Sequence, residues 1–375
     1  MLPRNGRELK AMLLCEGMRG DIMVTSHFAR QNPFRMRRGS LSSGGKIKLN
    51  CGLFVNVPIY THPTELHAVA DGTDDEKIYI CAGTKVLSGA RVLPAPLWYR
   101  RRIKDLFLSQ ILTAHNRQIA GAVYEGCVHF SRGDQGKFCV INHSVSTGDP
   151  RLTMKKPELI IAALEQIPTD DYDGLTLNGG MTLAPGRGME LMVPVVAAIS
   201  KRFPRLPIAI EITPPAELDW IDRLAEAGTS SLMMNLECWD PDIRRRMIPG
   251  KDQLCPRESY LAAFDRAVTL FGRGRVTSCF IVGTEPDYSL KQGITVTVEH
   301  GVIPSPLAGR GFEDIPEYPF RNGWNYPFRC SWFSLMQIMD FATRCMREHN
   351  LVSTDKAGCV ACKMCDLIGD FGTSC

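Results

Sequence analysis

The sequence predicts an α/β protein built on a parallel, partial TIM-type barrel of six strand–helix units, a (β/α)6 arrangement. Three observations predict it. From residue 118 onward, apolar strand-like runs alternate with amphipathic helix-like runs five or six times, the pattern that right-handed crossovers assemble into a parallel sheet. The strand-like runs are almost continuously apolar, as expected of strands covered on both faces. No glycine fingerprint of dinucleotide-binding type follows the first of them, which favours a full or partial barrel over a nicotinamide-binding sheet.

The elements follow in order. Residues 1–115 form an N-terminal accessory region: a helical start, a Gly/Ser-rich break at 37–45, and strand-like runs at 46–57, 77–83 and 90–99, with a turn at 71–76. Such a strand-containing region is suited to cover one end of a barrel. Residues 116–328 hold the barrel. Its expected strands are QIAGAVYEGCV from 118, DGLTLNG at 173–179, LPIAIEI at 206–212, SSLMMNLE at 230–237, RVTSCFIVG at 275–283 and a last one starting at 301–304. The expected helices lie at 155–167, with Pro157 in the first turn, and at 188–203, 216–228, 257–272 and within 287–300. Gly228 and Gly272 serve as helix stops. Residues 329–375 supply a C-terminal helix within 329–350 and a cysteine-rich tail. In such folds the chemistry sits where strands end and loops begin.

Composition narrows the function classes. The chain has 375 residues, 44% hydrophobic and 22% charged, with a net charge of +4. So small a net charge gives no reason to expect a nucleic-acid or membrane partner, and the arginines at 35, 37, 38, 100, 101 and 102 read as solvated faces. No run approaches the ~20 apolar residues of a membrane span, and no export signal is visible. A reducing, cytoplasmic setting is therefore expected.

Fourteen cysteines are many for this length. Cys15, Cys238, Cys279, Cys330 and Cys345 sit singly among apolar residues and read as core, as do Cys51 and Cys81 in the N-terminal strands. Cys359, Cys362 and Cys365 are different. Two residues separate each from the next, a spacing that folds a loop around one metal centre. Thiolates hold iron-sulfur clusters and soft metals. Structural zinc prefers two close cysteines with two more ligands further off, so an even triplet fits a cubane 4Fe-4S cluster better. Three protein ligands leave one iron open, and Cys375 is available to close the set.

Several barrel segments, taken in order, resemble the radical S-adenosylmethionine superfamily, especially its biotin-synthase-like members. DGLTLNGGMTLAPG at 173–186 resembles the strand and glycine turn that holds the cofactor's methionine amino group, through Asn178, Gly179 and Gly180. SLMMNLECWDPDIRRRMIPGK at 231–251 resembles the segment that reads cofactor or substrate, with Asn235 and Glu237 at the strand end. FGRGRVTSCFIVGTEPD at 271–287 resembles the late strand and its glycine-acid loop, with Gly283 and Glu285. EHGVIPSPLAG at 299–309 is similar to the final strand. Glu211 is the candidate for the ribose hydroxyls. The resemblance covers roughly 118–320 and implies S-adenosylmethionine and one or two 4Fe-4S clusters as cofactors. It also implies a reductant such as ferredoxin or flavodoxin, and a small-molecule substrate from which a hydrogen is abstracted.

Two departures stand out. The superfamily's three cysteines after the first barrel strand are reduced here to Cys127 and Cys139, with eleven residues between them, and Met181 stands where an acid normally follows the glycines. Three arrangements stay open. The C-terminal triplet holds the cofactor-cleaving cluster, folded back over the barrel mouth. Alternatively, Cys127 and Cys139 recruit a third ligand such as His129 or Cys51 while the triplet holds a second cluster. In the last, the barrel has lost the radical step. His129 and His143 otherwise read as structural, and Asp134 and Tyr288 are the candidate acid–base groups. Two answers of another class also stand: an iron-sulfur electron carrier or cluster scaffold, and a zinc-stabilised binding protein.

Overall fold

The computed structural model describes residues 2–21, 23–26, 44–60, 64–139, 149–309, 330–354, 356 and 358–370. His143, Cys375 and nearly all of the Gly/Ser-rich break lie outside the described residues. The predicted barrel is present. Strands β11 (Gln118–Tyr124), β12 (Gly174–Gly179), β13 (Ile208–Glu211), β14 (Ser231–Met233), β15 (Val276–Val282) and β16 (Ile303–Ala308) pair in sequential order, every pairing parallel. A short strand that sequence reasoning missed, β10 (Thr113–His115), adds antiparallel to β11. The strand order ends at β10 on one side and β16 on the other, so the barrel is partial.

Helices Pro157–Leu164, Met189–Arg202, Asp219–Glu226, Arg257–Phe271 and Asp287–Glu299 connect the strands. They cover the convex face. Phe280 of β15 points to that side, where Gly293 makes room: a Cβ there would stand 2.9 Å from the Phe280 ring. The next residue along the strand, Cys279, points the other way. Two short helices, Pro241–Met247 and Pro249–Leu254, fill the loop after β14, each with proline in its first turn.

The N-terminal region forms its own seven-stranded mixed sheet. Its strands are β1 (Met18–Gly20), β2 (Gly45–Leu49), β3 (Phe54–Val57), β4 (Ile59–Tyr60), β5 (Leu66–Ala70), β6 (Lys77–Ala82) and β7 (Lys85–Val92), in the order β3-β2-β7-β6-β5-β1-β4. A hairpin, β8 (Arg102–Ile103) with β9 (Leu106–Phe107), follows. The run 46–57, expected as one strand, is a hairpin instead. Gly52 adopts φ +93° at its turn, and Cys51 is exposed at the tip rather than buried in a core. Helix Gly6–Glu16, capped by the Asn5 side chain, packs on the C-terminal helix Trp332–Glu348. There the Sγ atoms of Cys15 and Cys330 lie 3.4 Å apart. Cys81, Cys238, Cys279, Cys330 and Cys345 are buried as expected. No helix among the described residues is long and apolar enough to cross a membrane.

Candidate functional site: the barrel mouth and the thiol floor

The concave side of the barrel has two ends. At the mouth, where the parallel strands finish, the predicted cofactor residues gather in part. Asn178, Glu211 and Met233 are register neighbours across β12, β13 and β14. Glu211 accepts a hydrogen bond from the Asn235 side-chain amide at 2.8 Å, and the Asn235 carbonyl oxygen accepts the Cys279 amide at 3.0 Å. Glu237 follows in the left-handed region at φ +67°, a strained conformation for a residue with a Cβ. Its carboxylate pairs with Lys251 Nζ at 2.9 Å, while its second oxygen is buried without a hydrogen-bond partner. Burial alone pulls the Lys251 ammonium down, and the adjoining Glu237 carboxylate more than offsets it, so its pKa lies above the ordinary value. Sequence reasoning missed Lys251. Its signal was the lysine closing the segment 231–251 quoted above.

Other predicted residues serve the protein itself. Gly180 donates its amide to the Tyr124 carbonyl at 2.9 Å, and Val128 donates to the Met181 carbonyl at 2.9 Å. This stitching leaves no space at the glycine: a Cβ on Gly180 would stand 1.8 Å from the Gly126 carbonyl oxygen, and one on Gly179 would stand 2.5 Å from Met192. The close approach that Gly180 permits is to the loop bearing Cys127. Glu285, 3% exposed, accepts the amides of Trp239 at 2.6 Å and Asp240 at 2.7 Å and the Ser289 hydroxyl at 2.6 Å. It holds the loop after β14 in place, and Gly283, at φ +95°, makes the turn that brings it there. Burial pushes its pKa up.

Cys127 sits just before the short helix Val128–Arg132, and Cys139 lies at the end of the inserted loop, which reaches helix Pro241–Met247 through Lys137 N–H to Met247 O. His129 is buried, with Nδ1 2.9 Å from Asp134 Oδ1 and Nε2 3.0 Å from the Met181 sulfur. The histidine and Asp134 are thus partners within the insertion, and Met181, standing where an acid was expected, meets an imidazole. Tyr288 is exposed on a helix.

The floor, at the N-terminal ends of the strands, is where the tail enters. Gln118, first residue of β11, donates to the Lys356 carbonyl at 2.9 Å. The Asn116 amide reaches the Cys362 carbonyl at 3.2 Å. The Thr176 hydroxyl on β12 accepts the Gly358 amide at 3.0 Å, and Ser305 on β16 donates to Asp366 at 3.1 Å. The tail therefore lies against the concave face, touching strands from one side of the arc to the other. It comes in from below rather than folding over the mouth.

One helical turn, Cys359–Cys362, puts two of the thiols three residues apart. Lys363, at φ +58°, then reverses the chain and returns Cys365. Cys359 and Cys365 pack against Met233, Cys279 and Leu307, inward residues of β14, β15 and β16. Burial pushes the Cys359 thiol up, reinforced first by the Glu211 carboxylate at the mouth and then by Cys362 and Cys365. Cys362 is raised by burial and by Cys365. Buried thiols that raise one another's pKa bind a cation in place of their protons, and the donor set fits a cluster in this respect. The thiols are neighbours rather than a closed cage: among the described residues no three His, Cys, Asp or Glu side chains stand ready to hold a metal ion. Cys279 adds a fourth thiol to the neighbourhood. Its sequence signal was only its position on one face of an apolar strand.

The N-terminal sheet closes the floor from beneath. Asn56 on β3 donates its backbone amide to the Met364 carbonyl at 2.9 Å. Lys46 on β2 donates to the Ala114 carbonyl, and burial pulls its ammonium down to about 8 while Cys362 and Cys365 act the other way. Lys10, fully buried, donates to Asp370 at 2.6 Å and to the Lys363 carbonyl at 2.8 Å. Asp366 is raised to about 6 by burial, against the pull of Lys10.

The chain is 26% identical over 327 residues to the bacteriochlorophyllide c C-7(1)-hydroxylase of Chlorobaculum limnaeum, covering 82% of this chain and 77% of that enzyme. No protein-family model matches. Among solved structures it is similar to a radical SAM methyltransferase from Sphaerobacter thermophilus (TM-score 0.44, 16% identity, 77% of this chain and 76% of that one). It is also similar to the FeFe-hydrogenase maturase HydG of Carboxydothermus hydrogenoformans (TM-score 0.46, 15% identity, 62% of this chain). A third likeness is to coproporphyrinogen III oxidase of Escherichia coli, a radical SAM enzyme (TM-score 0.30, 18% identity, 36% of this chain). The matched regions span 52% of the maturase and 31% of the oxidase.

Proposed function

We propose that this chain is a non-canonical radical S-adenosylmethionine enzyme whose 4Fe-4S cluster is held by Cys359, Cys362 and Cys365. The carrying observation is the meeting of the tail thiols with the concave face below Glu211 and Asn235. When bound, the cluster and S-adenosylmethionine supply a one-electron cleavage that yields a hydrogen-abstracting radical. The chain's own part is position and exclusion of water. Asn178, Glu211, Asn235, Glu237 and Lys251 line the end of the strands and orient the cofactor, while Gly179 and Gly180 let the Cys127 loop close against them. Gly283 and Glu285 fix the loop after β14. Residues 1–115 seal the floor, 116–328 form the barrel and 329–375 bring the ligands. Cys127 and Cys139 are left for a second cluster or a structural part. A ferredoxin or flavodoxin supplies the electron, in the cytoplasm.

The hydroxylase relative acts, by its name, on a carbon of a bacteriochlorophyllide. A tetrapyrrole with a C–H bond open to hydrogen abstraction is the substrate class this supports. The test uses protein purified without oxygen. It should carry about four irons per cluster and release 5'-deoxyadenosine with dithionite and S-adenosylmethionine, and the triple alanine variant of Cys359, Cys362 and Cys365 should do neither. Iron retained in that variant overturns the assignment.

One observation favours a second reading. Cys279 shares the packing of Cys359 and Cys365, and four thiols would close a cluster and make the protein an electron carrier. Cys279→Ala separates the two. Undiminished 5'-deoxyadenosine supports the enzyme. Loss of iron with no cofactor cleavage in the wild type supports the carrier.

A further inference from the structure

We infer that the metal site of the tail is completed by the N-terminal sheet, with Asn56 and Lys46 as outer partners that set the reduction potential of the bound cluster. This rests on the proposal that the tail thiols hold an iron-sulfur cluster, and it applies to the enzyme and the carrier alike.

Three observations carry it. First, β3 is the edge strand of its sheet, and its outward backbone amide at Asn56 is taken by the tail carbonyl of Met364 at 2.9 Å. An exposed sheet edge is a template for pairing, and here the tail pairs with it at the residue preceding Cys365. Second, the Asn56 side-chain amide, 1% exposed, points its nitrogen at the Cys365 sulfur at 3.8 Å. Third, Lys46 is the cross-strand partner of Asn56 in the register of β2 and β3, so the two side chains stand together on one face. The Lys46 ammonium is anchored on the Ala114 carbonyl, two residues before the Asn116 that holds the Cys362 carbonyl. The flanking Ile47 and Val55 point the other way, into the core.

Partners of this kind tune a cluster. Each electron added raises the negative charge on the sulfurs, so an ammonium held beside them and an amide N–H aimed at one of them stabilise the reduced form more than the oxidised form. Removing them makes the cluster harder to reduce. The sheet would then do more than cover the barrel: it would bring the cluster within reach of its electron donor.

The experiment is a redox titration of the full-length protein, loaded with iron and sulfide under argon and followed by electron paramagnetic resonance. Lys46→Met and Asn56→Leu should each keep the wild-type iron content and shift the midpoint to more negative potential, Lys46→Met by more. Lys46→Arg, which keeps the charge, should stay near the wild type and guards against a folding defect. Wild-type midpoints in both Lys46→Met and Asn56→Leu, with iron retained, overturn the inference while leaving the cluster proposal standing. A wild-type protein without iron, or iron that survives removal of the three thiols, overturns the cluster proposal and this inference with it.

Discussion

The Cys127 loop and the C-terminal tail treat their cysteines in opposite ways. At the mouth, the loop of Cys127 is stitched to β12 by backbone bonds, and its neighbour His129 is already engaged by Asp134 and Met181. The C-terminal tail enters from the floor and its backbone is held by side-chain and backbone partners, while Cys359 and Cys365 pack on the inward residues of three strands below the mouth. The mouth spends its polar groups on its own loops. The floor uses them to hold the tail's backbone, which leaves the soft donors inside the barrel. A cysteine's sequence neighbours do not tell which of these it is; the partners of the surrounding backbone do.

The largest expected effect breaks or confirms this contrast directly. Removing Cys359, Cys362 and Cys365 together should abolish iron binding, whereas Cys127→Ala should leave most of it, measured by iron content and visible absorbance. The reverse result would place the metal at the mouth. Next comes the clamp beneath the tail. Lys10 and Asp370 form a pair with 0% and 5% side-chain exposure. Lys10→Met removes the buried cation that pairs with the Asp370 carboxylate and a donor to the Lys363 carbonyl, so ~3–5 kcal/mol of stability should be lost. Urea unfolding reads this, and a loss below about 1 kcal/mol would mean that the tail is not held from below.

Much of the barrel was legible because parallel strands covered on both faces carry near-continuous apolar runs, and 174–179, 276–282 and 303–308 stand where those runs do. The run 230–237 shows where legibility ends. Only Ser231–Met233 pairs as a strand, because the Asn235 side chain takes over the Cys279 amide and Glu237 turns left-handed. The hairpin at 46–57 had a visible signal in Asn50, Cys51 and Gly52, a turn sequence that its apolar flanks outweighed. The triplet was legible as a donor set, but its place was not. Entry from the floor depends on Gln118, Asn116, Thr176 and Asn56, each a polar residue bonded to a chain segment about 180 to 310 positions away. No local pattern encodes such pairings. The bonds of Glu285 to the loop after β14 were hidden for a similar reason: a carboxylate after a glycine turn looks the same whether it faces a ligand or caps a loop.

A pH experiment sharpens the floor. Asp366 is 2% exposed and held at about 6 against an ordinary 3.8. A raised acid favours the folded state while protonated, so its contribution is complete below 3.8 and is lost as the pH rises to about 6. That interval corresponds to ~3 kcal/mol. Asp366→Asn removes the ionisation, so its profile should be flatter across that interval and it should be more stable than the wild type above it. Equal profiles for the two proteins would show that Asp366 does not carry the cost.

The smallest effect belongs to the mouth. Glu285→Gln keeps the shape but offers one carbonyl oxygen where the carboxylate offered two. The three donors from Trp239, Asp240 and Ser289 cannot all be served, and losing one bond to a charged group costs ~1.5–3 kcal/mol. Relief of a buried charge, whose pKa burial already raises, works against that loss. A net destabilisation of ~1 kcal/mol is expected at neutral pH. It should grow as the pH falls, because a carboxyl with a raised pKa gains stability on protonation that the glutamine cannot share. Because Glu285 bonds to the loop, affinity for S-adenosylmethionine should fall only as far as the loop loosens. The pair of measurements is therefore denaturant midpoint and cofactor binding by calorimetry. Lost binding with an unmoved midpoint would make Glu285 a ligand residue after all, and the mouth would then resemble the floor more than the bonds of its loops suggest.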